Sequence, residues 1–330
     1  MKLSRILIAA TGAELSLGAG FIGLLGLGGA WSNLLDGFNH IAPLVLATGA
    51  LGALLARLAL PDSGSRRLVL LFAAIGILAP AAQMTPDLVA AIRGLVPAHP
   101  PGAPPLKVLT FNVWVDDLTP RASADQIMGS GADVVLMQEA AGPMSTQFAR
   151  IRSVYPYMAA CPRVWVCGQA IFSRRPIARW GALVPRPPLQ PDALGVVWAT
   201  IQAPDGKPVT LVTTHFNWPI PPGQQATQRA KLARYLATMQ KADMVVSGDL
   251  NTTPWSFGLR RLDKALRPLS RQTHALFSWP ANTARIRQPF PLPLMPIDHI
   301  YSGPQWRTLS LKRLPRAGSD HYAVMATLAR

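Results

Sequence analysis

Three apolar stretches, roughly residues 6–30, 38–56 and 68–85, fill most of the first ninety positions. Each is about 18 residues or longer, enough to cross a hydrocarbon core of about 30 Å as a helix. Helices of water-soluble proteins rarely look like this, so the chain is expected to open with about three transmembrane helices. Seven glycines in the first stretch (Gly12, Gly18, Gly20, Gly23, Gly26, Gly28 and Gly29) suit helices that approach closely. Glu14 is expected to pack inside a small bundle, with an intramembrane function as the alternative. Lys2, Arg5 and the small residues near Gly28 also fit a cleaved signal peptide, although the two spans that follow make cleavage less useful.

Lys and Arg in short loops stay on the cytoplasmic side. Lys2 and Arg5 precede the first span, residues 31–37 carry no basic side chain, and Arg57, Arg66 and Arg67 separate the second span from the third. The pattern reads in, out, in, out. It describes a multi-pass protein of a bacterial inner membrane whose remainder is periplasmic. The two cysteines, Cys161 and Cys167, lack the companion Cys or His residues of a metal site. A local disulfide, which needs an oxidising compartment, is the leading reading; two unrelated buried thiols are the alternative.

Composition changes near residue 100. Of 32 basic and 16 acidic residues, six and four precede Leu106, so residues 106–330 hold 26 and 12, a net charge of +14. Residues 1–95 read as a membrane anchor in which 87–94 form a short interfacial helix. Residues 96–105 are a stiff Pro-rich linker with a solvated His99, and 106–330 are one large folded domain. Its basic balance suits an anionic partner, which charge alone does not choose. Nothing in the chain calls for an obligate protein partner.

Within 106–330, β-rich runs at 107–112, 133–138, 168–173, 195–202, 208–215, 244–247, 297–301 and 322–328 alternate with turns. Helices fit 121–130 and 222–240, the latter with Leu232, Tyr235, Leu236 and Met239 on one face. This predicts two sheets with helices outside. Polar groups cluster where the runs end: Phe111-Asn112, Gln138-Glu139, Thr214-His215-Phe216-Asn217, Gly248-Asp249-Leu250-Asn251, Ile297-Asp298-His299 and Ser319-Asp320-His321. Carboxylates, amides and imidazoles at strand ends supply a hard-cation site, a base for water and donors for phosphoryl oxygens. His299 is expected on the face opposite Asp298, because strand neighbours alternate. Trp114, Trp218 and Trp255, which follow three of the motifs, are rim or core residues unless they stack on a base. His274 and Asn217 carry weaker signals.

In order and spacing these motifs resemble the endonuclease/exonuclease/phosphatase superfamily across essentially all of 106–330. The resemblance implies a four-layered α/β sandwich that hydrolyses phosphate esters with Mg²⁺, Mn²⁺ being the alternative. It implies Glu139 as the principal metal ligand, Asn112 ordering metal and phosphate, and Asp320 assisting with the metal. It also implies that Asp249 activates or orients the attacking water and that Asn251 and His215 contact the phosphate. His321 stabilises the phosphorane or protonates the leaving oxygen, with Asp298 fixing its tautomer. Nucleic acid, a phospholipid or a small phosphodiester is the expected substrate. The Thr-His-Phe form is similar to that of sphingomyelinases and deoxyribonuclease-like proteins, and unlike the Tyr-containing motif of abasic-site nucleases. An inactive member that binds an anionic ligand at the membrane surface is the competing reading. Transport is weaker, since Glu14 is the only charge in the spans.

Overall fold

The computed structural model describes residues 3–94, 104–186, 188–282, 289–290 and 292–330. The expected linker, apart from Pro104 and Pro105, and His99 lie outside them. Two compact units are present. One comprises Met1–Val89 with Pro219–Gly223 and Thr252–Arg261; the other comprises Ala90–Trp218, Gln224–Asn251 and Leu262–Arg330. The inclusion of 219–223 and 252–261 with the apolar helices is not visible in composition.

In the first unit, helices Leu3–Leu27, Ala42–Ala59 and Gly64–Arg93 are long and apolar enough to cross a membrane. Glycine decides how they pack. A Cβ on Gly12 would lie 2.6 Å from Ala56 N, and one on Gly20 would lie 2.5 Å from Phe72 O. The first helix therefore meets the other two backbone to backbone, while Leu54, Leu58, Leu71 and Leu78 stay exposed. Two expectations are corrected. Glu14 lies off the packed face that carries Gly12 and Gly20 and is exposed, beside Gly18 and Thr48. No separate interfacial helix begins at Asp87, because the third helix continues through Pro80 and Pro86 to Arg93. A proline inside a membrane helix is tolerated when neighbouring groups satisfy the freed carbonyl.

The second unit is a sandwich of two mixed sheets. Its strands are β1 Leu106–Asn112, β2 Val134–Gln138, β3 Tyr157–Ala160, β4 Ala170–Ser173, β5 Ile177–Leu183, β6 Val196–Gln202, β7 Pro208–His215, β8 Met244–Asp249, β9 Ser270–Arg271, β10 Asp298–Ser302, β11 Arg307–Arg313 and β12 Val324–Ala329. The sheets run β11-β12-β1-β2-β4-β3 and β5-β6-β7-β8-β10-β9. Each is built around one parallel pair, β1 with β2 and β7 with β8.

Alternation along these strands sets both core and site. Leu106 and Val108 of β1, Val134 and Leu136 of β2, Val209 and Leu211 of β7, Val245 of β8 and Ile300 of β10 share one buried cluster between the sheets. Each such side chain contributes about 1.5–3 kcal/mol on burial. Leu109, Phe111, Val135 and Met137 face the other way, into a second cluster with Ile127 of the helix Pro120–Gly129. With period two, Asn112, Gln138, His215, Asp249 and Asp298 stand on the inter-sheet face, one or more steps beyond the apolar residues. His299 falls on the opposite face, where its Nδ1 lies 3.1 Å from Thr273 Oγ1. Cys161 and Cys167 form a disulfide.

Candidate active site

Where the apolar inter-sheet layer ends, a polar one begins. Gln138 Nε2 donates to Thr213 Oγ1 at 2.9 Å and to Thr110 Oγ1 at 3.2 Å, joining both sheets beneath the strand ends. Above it, register places Asp249 beside both His215 and Asp298. Gly248 makes that approach possible, since a Cβ there would lie 1.9 Å from Thr214 O. Backbone cannot yield as a side chain can, so Gly248→Ala is expected to destabilise the chain by ~1–3 kcal/mol, measured as a lower melting temperature in detergent.

Asp249 is the centre of the cluster. Its Oδ2 lies 3.5 Å from His215 Nε2 and 3.5 Å from His321 Nε2, and it accepts from Asn112 Nδ2 at 2.9 Å. Burial opposes its charge, but the two imidazoles and the Asn112 amide outweigh that and hold its pKa at about 2. His321 Nδ1 is 2.9 Å from Asp298 Oδ2. Burial disfavours its protonation, yet the charges of Asp298 and Asp249 prevail and push its pKa up to about 10. His321 is thus an imidazolium at neutral pH. Its backbone N–H donates to Ser319 Oγ, which itself donates to Asn112 O at 2.7 Å.

Burial also works against charge on His215, and the pull of Asp249 and Glu139 overcomes it, raising the pKa. Asn251 Nδ2 donates to Phe216 O at 2.9 Å and sits 3.1 Å from His215 Nε2. That second contact requires a neutral ring, since a protonated Nε2 would meet the amide donor to donor. Protonation of His215 therefore needs the Asn251 amide to turn.

Glu139 Oε1 accepts from Asn112 Nδ2 at 2.8 Å and Oε2 from Val115 N at 2.8 Å. Asn112 turns its NH₂ toward the two carboxylates while its oxygen accepts from Trp114 N, so here it aligns Glu139 and Asp249 and offers them no oxygen. Asp320 Oδ2 accepts from Trp279 Nε1 at 3.1 Å, while its Oδ1 is buried without a hydrogen-bond partner. Burial, reinforced by Glu139 and Asp249, raises the Asp320 pKa. Trp114, Glu139 and Asn251 have φ of 56°, 53° and 46°. Side chains in this left-handed region cost about 1–3 kcal/mol each and persist where surroundings hold them. Glu139 and Asn251 end their motifs, and Trp114 stands two residues beyond Asn112.

One oxygen or nitrogen from each of Glu139, His215 and Asp249 lies within 4.8 Å of the others, as do those of Asp249, Asp298 and His321. The donors are carboxylate oxygens and imidazoles with no thiolate, a set that suits a hard divalent cation. The buried Oδ1 atoms of Asp298 and Asp320, which accept no hydrogen bond among the described residues, add acceptor capacity.

Other expected residues fall elsewhere. Asn217 is taken up by its loop, with its N–H on Gln228 and its carbonyl accepting from Gln225. Trp255 is fully buried. Trp218 is 54% exposed and meets Trp279 edge to face at 5.5 Å. His274 belongs to neither acid–histidine group. Sequence reading missed Trp279 and Gln225, whose buried amide donates to Leu250 O and Asn251 O. Gln225, Gln228, Arg229, Leu232 and Leu236 are the buried stripe of the helix Gln224–Ala237, so polar residues continuing an apolar helix face were the available signal.

A family model described as "Endonuclease/Exonuclease/phosphatase family" matches residues 109–321. No curated protein matches the chain by sequence. Among solved structures, D. rerio TDP2 complexed with single-strand DNA product is 17% identical with a TM-score of 0.53, covering 68% of this chain and 99% of that one. The catalytic domain of human Nocturnin with bound sulfate is 14% identical with a TM-score of 0.52, covering 72% and 97%. The endonuclease/exonuclease/phosphatase from Bacteroides vulgatus is 20% identical with a TM-score of 0.53, covering 68% and 98%. At these identities the likeness is one of fold.

Proposed function

The chain belongs to the endonuclease/exonuclease/phosphatase family, and from that premise we propose that it is a membrane-anchored, Mg²⁺-dependent hydrolase of phosphate esters, with phosphodiesters as the main class and phosphomonoesters as the alternative. The observation that carries this reading is the meeting of Asp249 Oδ2 with His215 Nε2 and His321 Nε2, each at 3.5 Å. Binding an anion needs no buried carboxylate at its centre; ordering a water against phosphorus does.

Glu139, with Asp249 and Asp320 near it, would hold the cation. When bound, Mg²⁺ or Mn²⁺ neutralises charge on the phosphoryl oxygens. Asp249, with a pKa of about 2, is a weak base, so its task is to accept a hydrogen bond from the attacking water and aim its lone pair. The water oxygen bonds to phosphorus, becomes acidic as it does so and gives one proton to Asp249 and on to solvent, while the ester P–O bond breaks. The leaving oxygen takes a proton from His321, whose imidazolium is aligned and stabilised by Asp298. His215 and Asn251 would contact the non-bridging oxygens, while Asn112, whose amide donates to Glu139 and Asp249, would keep those two carboxylates aligned.

The substrate class is nucleic acid, phospholipid or small phosphodiester. The net charge of +14 on residues 106–330 and the membrane tether pull in different directions. Initial rates of the full chain in detergent on DNA, RNA, sphingomyelin, inositol phosphates and a chromogenic diester would separate these classes. Failure on all of them, with metal present, would transfer the site to anion binding.

The periplasmic orientation rests on Arg57 in the last turn of the second helix, on Arg66 and Arg67 at the start of the third, and on the Cys161–Cys167 pair. A reporter that fluoresces only in the cytoplasm, fused after Arg330, is expected to stay dark. A bright fusion would overturn the orientation.

A further inference from the structure

Asp36 and His40 lie between the first and second apolar helices and are only 5% and 7% exposed. Buried polar groups need partners, and part of theirs comes from a segment more than 200 residues later. Asp36 Oδ1 accepts from Phe257 N at 2.8 Å and Oδ2 from Gly258 N at 2.6 Å. These are first-turn amides of the helix Phe257–Ala265, which intrahelical carbonyls cannot satisfy. A carboxylate there also faces the positive end of the helix dipole. Asn39 Nδ2 fixes that carboxylate, donating to Asp36 Oδ1 and to Gly26 O at 2.9 Å each. His40 Nδ1 accepts from Thr253 N at 3.2 Å and lies 3.1 Å from Thr253 Oγ1.

Thr253 is two residues beyond Asn251 and four beyond Asp249. Asn251, so near along the chain to the residue that His40 holds, keeps a φ of 46°. We propose that the turn between the first two apolar helices is a positioning element for phosphoester hydrolysis, with Asp36 and His40 as positioning residues that set the segment carrying Asn251. The proposal rests on the hydrolase reading. It makes the anchor a working part of the enzyme: misplacement of a reacting geometry by about 1 Å costs roughly 10²-fold in rate.

The test uses the full chain in detergent micelles with Mg²⁺ and a chromogenic phosphodiester. It compares Asp36→Ala, Asp36→Asn and, as a control on an exposed side chain of the same turn, Leu34→Ala. Asp36→Ala is expected to lower kcat by roughly 10- to 100-fold with KM within about twofold. Asp36→Asn, which keeps one acceptor, recovers part of the loss, and Leu34→Ala matches wild type. In parallel, amide hydrogen exchange across 250–258 speeds up in Asp36→Ala. If Asp36→Ala does not fold, His40→Phe, which removes the acceptor at Thr253, carries the same expectations. Unchanged kcat together with unchanged exchange at 250–253 overturns the proposal. A wild-type chain that cleaves nothing overturns the hydrolase reading instead; the exchange arm then decides positioning by itself, and unchanged protection at 250–253 defeats it.

Discussion

Asp249→Ala is expected to lower kcat for phosphodiester cleavage by roughly 10³-fold, within the range for loss of a positioned acid or base. KM should change far less, because the phosphate-contacting groups proposed here, Asn251 and His215, remain. The size of the effect follows from the place of Asp249: it is 1% exposed and is the carboxylate that both His215 and His321 face. Its removal also takes away one of the three carboxylate charges, those of Asp298, Asp249 and Asp320, that sustain the His321 imidazolium. Water aim and leaving-group protonation fail together. Steady-state kinetics beside a melting curve check this, and a loss of less than about tenfold in a folded variant would remove Asp249 from the centre of the mechanism.

Asp298→Asn is the second large effect. The substitution keeps the shape of the side chain and deletes the charge beside His321 Nδ1, 2.9 Å away. Burial then pulls the imidazole down from about 10 with less to oppose it. With protonated His321 as the proposed proton donor, the basic limb of the kcat–pH profile is expected to move to lower pH, activity being lost earlier as pH rises. At neutral pH kcat is expected to fall by roughly 10²- to 10⁴-fold. Asp298→Asn combined with His321→Ala should be no slower than His321→Ala alone, since residues that act as one unit are not additive. A basic limb that stays in place would show that His321 is not the proton donor.

Much of the site was legible because a β-strand alternates. Val108, Asn112, Val245 and Asp249 fall on one face by simple parity, and the passage from apolar to polar at the strand ends marks the lip of the sandwich. Parity also separated His299 from Asp298. Residues held by distant chain were not legible. Trp279 reaches Asp320 across 41 positions, and Asp36 reaches Phe257 across 221; no local pattern encodes such pairings. The strands that escaped notice, β3, β5, β9 and β11, pair on one side or are very short. β11 carries Arg307, Lys312 and Arg313, charges that blunt a sheet edge and hide its alternation. Glu14 misled because an acid in an apolar run suggests burial, whereas glycine packing chose which face of the helix is inside.

The central claim is metal-dependent hydrolysis at the Asp249 cluster. The most direct measurement is cleavage of a chromogenic phosphodiester by the full chain in detergent, first with Mg²⁺, then with excess chelator, then with Mg²⁺ restored. Wild type should turn over, stop and recover, while Glu139→Gln requires a higher Mg²⁺ concentration to reach half its rate. Cleavage that continues undiminished in chelator, or that shows the same Mg²⁺ dependence in Glu139→Gln as in wild type, would contradict it.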